Sequence, residues 1–304
     1  MERYRMVGFD SARWDGFAFR DGDIVISTPP KSGTTWMQMI CALLVFGTPD
    51  FDRELDALSP WLDWSLEPRE SVLATLEAQQ HRRFIKTHTP LDGLPIDPQV
   101  TYVCVGRDPR DAGISLGNHR ANIDLEAVVR AREAAGLAHV SPTSAPVSEE
   151  ASERDRFRHW MLDDTPVTSS HYTLRFTMHH LTTFWDARES AGVIMVHYDD
   201  LKADLLGEMR RLAVRLGITV PESAWPSLAR AATFEDMRKQ APRLVPNVSK
   251  AVWRDNERFF NRGVSGQWVD VLDDTDLHEY AARVTEFTAP DLLDWAHREP
   301  ITQF

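Results

Sequence analysis

Residues 24–40 are the stretch that most limits how this chain can fold, and they read IVISTPPKSGTTWMQMI. A β-branched run is followed by a Pro-Pro turn, a Lys-Ser-Gly-Thr-Thr cluster and an apolar segment of helical character. A strand, a tight loop and a helix N-terminus in this order aim unpaired backbone N–H groups and the positive end of the helix dipole at one point, which is an anion site. Gly33 lets the backbone approach an oxygen closely, and Lys31 adds charge. The hydroxyl donors of the loop are Ser32, Thr34 and Thr35.

The same stretch is not a Walker A motif. That motif requires Gly-x-x-x-x-Gly-Lys-[Ser/Thr], and here Lys31 precedes Gly33, the only glycine of the loop. A helix N-cap by Thr34 or Thr35 behind a proline turn, with a solvated Lys31, explains the stretch equally well when it is taken alone. A second group of anion-binding residues is needed to decide between the two interpretations.

Short β-branched runs alternate with helical patterns along the chain. DIVIS precedes TWMQMICALLVF, and GVIMVHYDDL precedes KADLLGEMRRLAVRLGI, with RRFIKTH and QVTYVCVGR as further strand-like runs between them. This alternation is typical of a parallel sheet with helices packed on its faces. We expect one α/β domain over residues 1–304, with a central, mostly parallel sheet and a P-loop-like strand, loop and helix. Apolar spacing also predicts a single helix from Leu201 to Gly217, with the glycine as its C-cap.

Two segments depart from this alternation. Residues 119–171 contain a stretch rich in Ser, Pro, Ala and charge, which predicts a mobile insertion or lid, with an ordinary helical excursion as the alternative. The later stretch SKAVWRDNERFFNRGVSGQWVDVL has little periodicity and carries Gly263 and Gly266 among aromatic and basic residues. Segments of this kind more often fold over a site than build a core.

Composition limits the partners and the location of the protein. A formal net charge of −12 argues against nucleic-acid binding, which needs a basic face, so an anionic ligand must meet a local cluster of positive charge. Cys41 and Cys104 lie in apolar runs without metal-binding or redox spacing and are expected in the core. The N-terminus has no apolar signal core, and the run MICALLVF is too short to span a bilayer. We therefore expect no stable membrane insertion and a cytoplasmic location.

A second group of anion-binding residues follows the strand-like run TYVCV in YVCVGRDPRDAGISLGNH. The run ends at Gly106 and delivers Arg107, Arg110 and Ser115 beyond the strand's carboxyl end, where ligands of open parallel sheets bind. The alternative is that both arginines pair with Asp108 and Asp111 as surface ion pairs. That pairing suits Arg110 better than Arg107, because Arg107 lies nearer the strand end.

Six motifs resemble those of the cytosolic-type sulfotransferases and occur in the family's order along the chain. The chain resembles a bacterial-like member of that family. PKSGTTW resembles the loop for the 5'-phosphosulfate, IKTHTPL the catalytic Lys-Thr-His segment, and GRDPRDAGIS the 3'-phosphate segment, with Arg107 and Ser115 eight positions apart. YDDLKAD, TFEDM and FFNRGVSGQW resemble later cofactor-contacting elements, so the resemblance reaches from about residue 24 to 270. It implies transfer of a sulfuryl group from 3'-phosphoadenosine 5'-phosphosulfate (PAPS) to a hydroxyl or amine of a small acceptor. The product nucleotide is then 3'-phosphoadenosine 5'-phosphate (PAP).

The catalytic residues are expected around the Lys-Thr-His segment. His88 is the candidate general base, because an attacking hydroxyl must lose a proton and imidazole titrates near working pH. Lys86 lies two residues earlier, on the same face of an extended segment, where it can stabilise sulfuryl oxygens. The resemblance places Lys31 near the bridging oxygen of the departing 5'-phosphate. It also implies that Ser115 contacts the 3'-phosphate and restrains Lys31 until the acceptor is present.

The resemblance further implies an adenosine site made by Trp36, Tyr198, Phe234 and Met237. Arg262 and Gly263 match the end of the family's Arg-Lys-Gly segment, with Arg262 in place of the usual Lys and Asn261 in place of the usual Arg. The lost guanidinium removes a bidentate phosphate clamp, which Arg258 or Arg254 is positioned in sequence to replace. The sequence after Trp268 lacks the Lys-containing dimerisation pattern of animal members, which leaves the oligomeric state open.

The acceptor pocket is expected to be largely apolar, with walls around Trp61, Trp64, Phe84 and residues 119–171. The acidic chain favours a small alcohol, phenol or lipid-like hydroxyl over a polyanionic acceptor. No metal is implied, because protein cations suffice for this chemistry and no ligand spacing is present. Two alternatives are a Mg²⁺-dependent nucleotide phosphotransferase, with Asp108 as metal ligand, and a non-catalytic nucleotide-binding module.

Overall fold

The computed structural model describes residues 1–6, 8–136, 151–244, 252–255, 259 and 263–301. The strands are Arg5–Met6 (β1), Phe9–Asp10 (β2), Ile24–Ser27 (β3), Phe84–Thr87 (β4), Thr101–Gly106 (β5) and Val193–His197 (β6). The α-helices are Thr34–Phe46 (α1), Leu55–Leu58 (α2), Arg69–Ala78 (α3), Pro109–Ala121 (α4), Leu125–Ala134 (α5), Glu153–Leu162 (α6), Leu174–Asp186 (α7), Tyr198–Ala203 (α8), Leu205–Arg215 (α9), Trp225–Ala231 (α10), Phe234–Lys239 (α11), Ala241–Leu244 (α12), Asp274–Thr285 (α13) and Pro290–His297 (α14). Short 3₁₀ helices cover Ser11–Trp14, Leu91–Gly93, Glu222–Ala224 and Gln267–Asp270. Within these ranges, no helix combines the length and the apolar character needed to cross a membrane.

Four strands form one parallel sheet in the order β4, β3, β5, β6. Ser27 of β3 pairs with Thr87 of β4, and Gly106 of β5 pairs with His197 of β6. The carboxyl ends of these strands therefore meet at one edge, as expected for a ligand-binding sheet. The predicted α/β fold with a mostly parallel sheet is confirmed, and β1 and β2 form a separate antiparallel pair.

The sheet is buried on both faces, which is why its strands read as continuous apolar runs. Alternate residues of β3 point to opposite faces: Ile24 and Ile26 pack with helices α1, α9 and α10, whereas Val25 packs with α7 and α14. The predicted core positions of Cys41 and Cys104 are confirmed, since both thiols are fully buried and free.

The predicted single helix from Leu201 to Gly217 is wrong, because the chain breaks at Asp204. The Asp204 carboxylate accepts a 2.9 Å hydrogen bond from the Gly207 N–H and so starts α9 anew. The apolar stripe itself was predicted correctly, since Leu201 and Met209 are buried in the same core cluster. Gly217 follows the end of α9 with φ +64°, the left-handed conformation expected of a glycine at that position.

The described part of residues 119–171 is largely helical. Helix α6 buries Phe157 and Trp160 in a core cluster, and a Cβ on Gly113 of α4 would lie 2.6 Å from the Trp160 ring. Helix α5 lies nearer the surface, and residues 137–150 lie outside the described residues. The structure thus resembles the helical excursion more closely than a loop, and mobility of the segment stays a prediction.

Candidate active site

A cleft opens at the carboxyl edge of the sheet and encloses about 1280 Å³, counted to its open mouth. The loops that follow the strands supply its charged and aromatic groups. The predicted site residues that line it are Lys31, Gly33, Thr34, Thr35, Trp36, Lys86, His88, Arg107, Ser115, Tyr198, Phe234, Met237 and Gly263. Ser32 is fully buried and is not a lining residue, and Arg262, Asn261 and Arg258 lie outside the described residues. One cleft therefore collects residues from motifs spread over most of the sequence.

The loop after β3 is built to present backbone N–H groups rather than a side-chain cap. Gly33 is the N-cap of α1, with φ +107° and ψ +22°, and no side chain caps the helix. This finding overturns the alternative of an N-cap by Thr34 or Thr35. A Cβ on Gly33 would lie 3.1 Å from the Tyr198 ring, so the close approach there requires glycine. Lys31 also has a positive φ of +67°, a conformation that a non-glycine residue adopts at an energetic cost and mainly at functional loops.

The two arginines after β5 have different roles, as the sequence predicted. Arg110 pairs with Asp108 at 2.7 Å and with Glu299 at 2.8 Å, and its guanidinium stacks 3.9 Å from the Trp268 ring. Arg107 instead lines the cleft, where it donates to the carbonyl of Lys31 at 3.2 Å. Its Nε is buried and has no hydrogen-bond partner in the described part of the chain. Arg107 also pairs with Asp111 at 3.8 Å, so it differs from Arg110 in lining the cleft and not in lacking a carboxylate partner.

His88 follows β4 and is held in one tautomer. Its Nδ1 lies 2.7 Å from the carbonyl oxygen of Thr28, which can only accept, so Nδ1 carries the proton and Nε2 keeps a lone pair. Burial, together with the charge of Lys86, holds the pKa of His88 well below its usual range. The Lys86 ammonium lies 4.2 Å from the Trp61 ring centroid, and burial lowers its pKa to about 8. A neutral imidazole base and a cation therefore stand side by side.

The Lys31 ammonium completes the charged end of the cleft. Burial and the neighbouring charges of Arg107 and Lys86 lower its pKa to about 7. Its Nζ lies 3.4 Å from Nδ1 of His119 and 5.1 Å from the Phe259 ring centroid. His119 also lines the cleft, and the sequence analysis missed it. Its position one helical turn after Ser115 on α4 was the signal that could have identified it.

The predicted adenosine residues form one aromatic wall. The Trp36 ring meets Tyr198 edge to face at 5.2 Å, and its Nε1 donates to the carbonyl of Ala232 at 2.8 Å. Gly263 packs so closely on Phe234 that a Cβ would lie 2.6 Å from the ring. This wall is fixed by packing and faces the same cleft as the phosphate loop.

The acceptor end of the cleft is largely apolar and aromatic. Trp61 and Trp64 stack with ring centroids 4.2 Å apart. Trp64 and Ile123 pack against the cluster that contains Val128 and Val252, and all of these residues line the cleft. The prediction that Phe84 forms part of the acceptor-pocket wall is wrong. Phe84 lies at the buried start of β4, within the core cluster on the α1 side of the sheet. Only the end of β4 reaches the cleft.

Comparison with known proteins agrees with this geometry. The family model described as "Sulfotransferase domain" matches residues 21–292. A glycolipid sulfotransferase of Mycobacterium bovis is 43% identical, over 97% of this chain and 93% of the relative. A crystal structure of retinol dehydratase with androsterone and the inactive cofactor PAP superposes with a TM-score of 0.70, at 19% identity, over 92% of this chain and 87% of the other. The crystal structure of mouse sulfotransferase SULT7A1 complexed with PAP superposes with a TM-score of 0.65, at 20% identity, over 94% of this chain and 93% of the other.

The two structural likenesses establish the fold, and the family model and the mycobacterial relative establish the family. The resemblance inferred from the six motifs is confirmed. The chain belongs to the sulfotransferase domain family and is a sulfotransferase.

Proposed function

We propose that this sulfotransferase moves the sulfuryl group of PAPS to a hydroxyl of a small, partly apolar acceptor and releases PAP. The observation that carries the proposal is that the neutral imidazole of His88 lies in the same cleft as three cationic side chains, of which Lys86 and Arg107 are buried. Those cations belong to Lys31, Lys86 and Arg107. Sulfuryl transfer needs this combination, because one group must accept a proton while others stabilise the charge on the transferring and departing oxygens.

The cleft fits a polyanionic nucleotide. The lowered pKa values of Lys31 and Lys86 mean that the protonated forms of both lysines are disfavoured in the buried cleft, and a bound anion would stabilise them. Arg107 lines the cleft, and its Nε is buried without a hydrogen-bond partner among the described residues, so it is a donor for a phosphate or sulfate oxygen. The aromatic wall of Tyr198 and Phe234 offers a surface for the adenine base.

Each residue has a defined part in the transfer. His88 Nε2 accepts the proton of the acceptor hydroxyl as that oxygen forms its bond to sulfur. Lys86 stabilises the sulfuryl oxygens, and Lys31 neutralises the 5'-phosphate oxygen whose bond to sulfur breaks. We further propose that Arg107 and Ser115 hold the 3'-phosphate, and that Arg262, Gly263 and Arg254 complete that subsite in place of the family's arginine at position 261.

The two rival functions are less well supported. A magnesium phosphotransferase would need a free strand-end carboxylate, yet Asp108 is engaged by Arg110 at 2.7 Å. The described ranges also contain no group of three or more His, Cys, Asp or Glu side chains that could hold a metal ion. A non-catalytic nucleotide sensor would gain nothing from a tautomer-fixed His88 beside Lys86.

The acceptor is an amphipathic hydroxyl compound of the glycolipid kind. The apolar wall at Ile123, Val128 and Val252 supports an apolar portion, and the name of the mycobacterial relative supports a glycolipid. The net charge of −12 supports a non-nucleic-acid partner, and the two free, buried cysteines are consistent with a reducing, cytoplasmic location.

The donor assignment is tested by thermal unfolding in EDTA with adenosine 3',5'-bisphosphate, ADP or ATP. At a concentration of about 100 times its Kd, the bisphosphate should raise Tm by about 5 °C, since binding then adds about 2.7 kcal/mol. ADP and ATP, which lack a 3'-phosphate, should shift Tm much less. A shift produced only by ATP with Mg²⁺ would overturn the proposal in favour of the phosphotransferase.

A further inference from the structure

A second cavity adjoins the acceptor end of the cleft and encloses about 860 Å³ with its open mouth. The two cavities share Trp61, Trp64 and Lys86 as lining residues. The far side of the second cavity is formed by Gln38 of α1 and by α2 with the residues after it. We call this cavity the side chamber.

The side chamber is polar where the cleft is apolar. Ser59, 1% exposed, lines it, and its Oγ has no hydrogen-bond partner within the described ranges. Gln38, 4% exposed, also lines it and donates from Nε2 to the carbonyl of Ser59 at 3.2 Å. The side chains of Asp56 and Glu67 add carboxylates to the wall. A buried hydroxyl without a partner is destabilising, and a bound polar ligand would supply the missing hydrogen bond.

The wall between the cavities is also the catalytic strand end. The backbone N–H of Lys86 donates to the carbonyl of Pro60 at 3.0 Å, which ties β4 to the segment that carries Trp61. The Lys86 ammonium lies over Trp61, and the charge of Asp56 acts on it from the side-chamber wall. The side chamber and the cleft therefore share a wall that carries Lys86, so a ligand in either cavity lies next to this residue.

We infer that the side chamber is a subsite for the uncharged, hydroxyl-rich part of the acceptor, such as a sugar ring. This inference rests on the proposed function, because it assumes that the reacting hydroxyl lies between His88 and Lys86. The apolar part of the same acceptor then lies along Ile123 and Val128 in the cleft. Hydroxyl groups suit the side chamber because each donates and accepts, and the wall offers the hydroxyl of Ser59 and the amide of Gln38.

Other ligand chemistries suit the side chamber less well. An anionic group would be repelled by Asp56 and Glu67, and an apolar group would leave Ser59 Oγ without a partner. A cationic amine is the remaining competitor, since it would find the two carboxylates but would also meet the Lys86 ammonium. The experiment therefore includes an amine.

The test fills the side chamber and compares acceptors that differ only in the polar end. Ala57 of α2 lines the side chamber. Its N–H donates to the carbonyl of Glu54 at 3.1 Å and its carbonyl accepts from Gln79 Nε2 at 3.0 Å, and both are backbone groups that Ala57→Phe retains. With PAPS as donor, the probes are octyl β-glucoside, 1-octanol and octylamine. Ala57→Phe should lower kcat/KM for octyl β-glucoside about tenfold through KM, the equivalent of one lost good contact, and leave 1-octanol within about twofold. Ser59→Ala should also lower kcat/KM for octyl β-glucoside, by a smaller factor.

Ala78→Phe is the matched control, because Ala78 is exposed and lines neither cavity. The inference would be overturned if Ala57→Phe lowered kcat/KM equally for octyl β-glucoside and 1-octanol, or if it lowered kcat/KM for octylamine alone. Calorimetric binding of octyl β-glucoside in the presence of PAP separates it from the proposed function. If the wild-type protein binds the glucoside but transfers no sulfuryl group to it, and Ala57→Phe abolishes the binding, the subsite is supported and the proposed reaction is rejected. Glucoside binding that Ala57→Phe leaves unchanged would reject the subsite whatever the reaction.

Discussion

The acid–base behaviour of His88 follows from one hydrogen bond and from burial. The bond from Nδ1 to the Thr28 carbonyl, 2.7 Å long, leaves the lone pair on Nε2, and burial favours the neutral ring. A lowered pKa means that the neutral base persists as pH falls. We predict that kcat/KM for PAPS, which reports the free enzyme, does not fall between pH 7 and pH 6 in initial-rate measurements. An imidazole of pKa about 6.5 would lose about two thirds of its neutral form over that range.

The His88→Ala variant identifies the group behind this profile. It should lower the rate of transfer by about 10²–10⁴-fold, the usual contribution of a general base, while the Tm shift given by PAP remains. His179→Ala is the matched control, since His179 bonds to Tyr4 at 2.7 Å and is not among the residues that line the cleft. An activity loss centred on pH 6.5, or full turnover by His88→Ala, would remove His88 from the role of base.

Single residues show where sequence reasoning succeeded and where it stopped. Lys31, His88 and Arg107 were predicted because their motifs also fix their place at strand ends, and the parallel sheet brings those ends together. His119 was missed because its contact with Lys31 depends on how α4 lies against the loop, which helical spacing alone does not give. Phe84 was misplaced for the related reason that a strand motif does not say which of its residues extend beyond the sheet.

The segment that carries Gly263 makes a tight contact with α11 at the wall of the cleft for which we propose a role in adenosine binding. Gly263 has φ +62°, and a Cβ there would lie 2.6 Å from the Phe234 ring. We predict that Gly263→Ala weakens PAP binding about tenfold in isothermal titration, because Phe234 must move out of the nucleotide wall to make room. The free energy of unfolding should fall by about 1–3 kcal/mol from the strained backbone and the displaced ring.

Gly217→Ala separates the two causes. Gly217 has nearly the same φ, +64°, but a Cβ there would meet nothing within 4 Å. The variant should therefore carry the conformational cost of about 1–2 kcal/mol and leave PAP affinity unchanged. Equal PAP affinities in the two variants would show that the contact with Phe234 does not shape the nucleotide site.

The boundaries of elements were harder to predict than their type. The strands were recognised because burial on both faces gives continuous apolar runs, which leave little ambiguity. The break between α8 and α9 was missed, because an apolar stripe continues through Asp204 although its carboxylate caps a new helix. Residues 119–171 were predicted as an insertion from composition, whereas Phe157 and Trp160 anchor α6 in the core through contacts that are distant in sequence.

The molecule as a whole is acidic, yet its cleft gathers cationic side chains. A net charge of −12 coexists with Lys31, Lys86 and Arg107 on one sheet edge, because strand order rather than composition decides which side chains meet. The same burial that excludes water lowers the pKa values of the two lysines to about 7 and about 8. Ligand charge and lysine protonation are therefore linked in this cleft.

This linkage predicts that PAP binding takes up protons. As pH rises through 7 the free protein loses protons from Lys31 and then, near pH 8, from Lys86, and a bound phosphate restores them. The contribution of the lysines to affinity is therefore complete below about pH 6 and falls as pH rises through 7 and 8. The phosphates titrate near pH 6 and contribute little at pH 8. Calorimetry at pH 8 in two buffers of different ionisation enthalpy should give an uptake of about one proton per PAP, and Lys31→Met should reduce it. A binding enthalpy independent of the buffer would mean that both lysines are already charged in the free cleft.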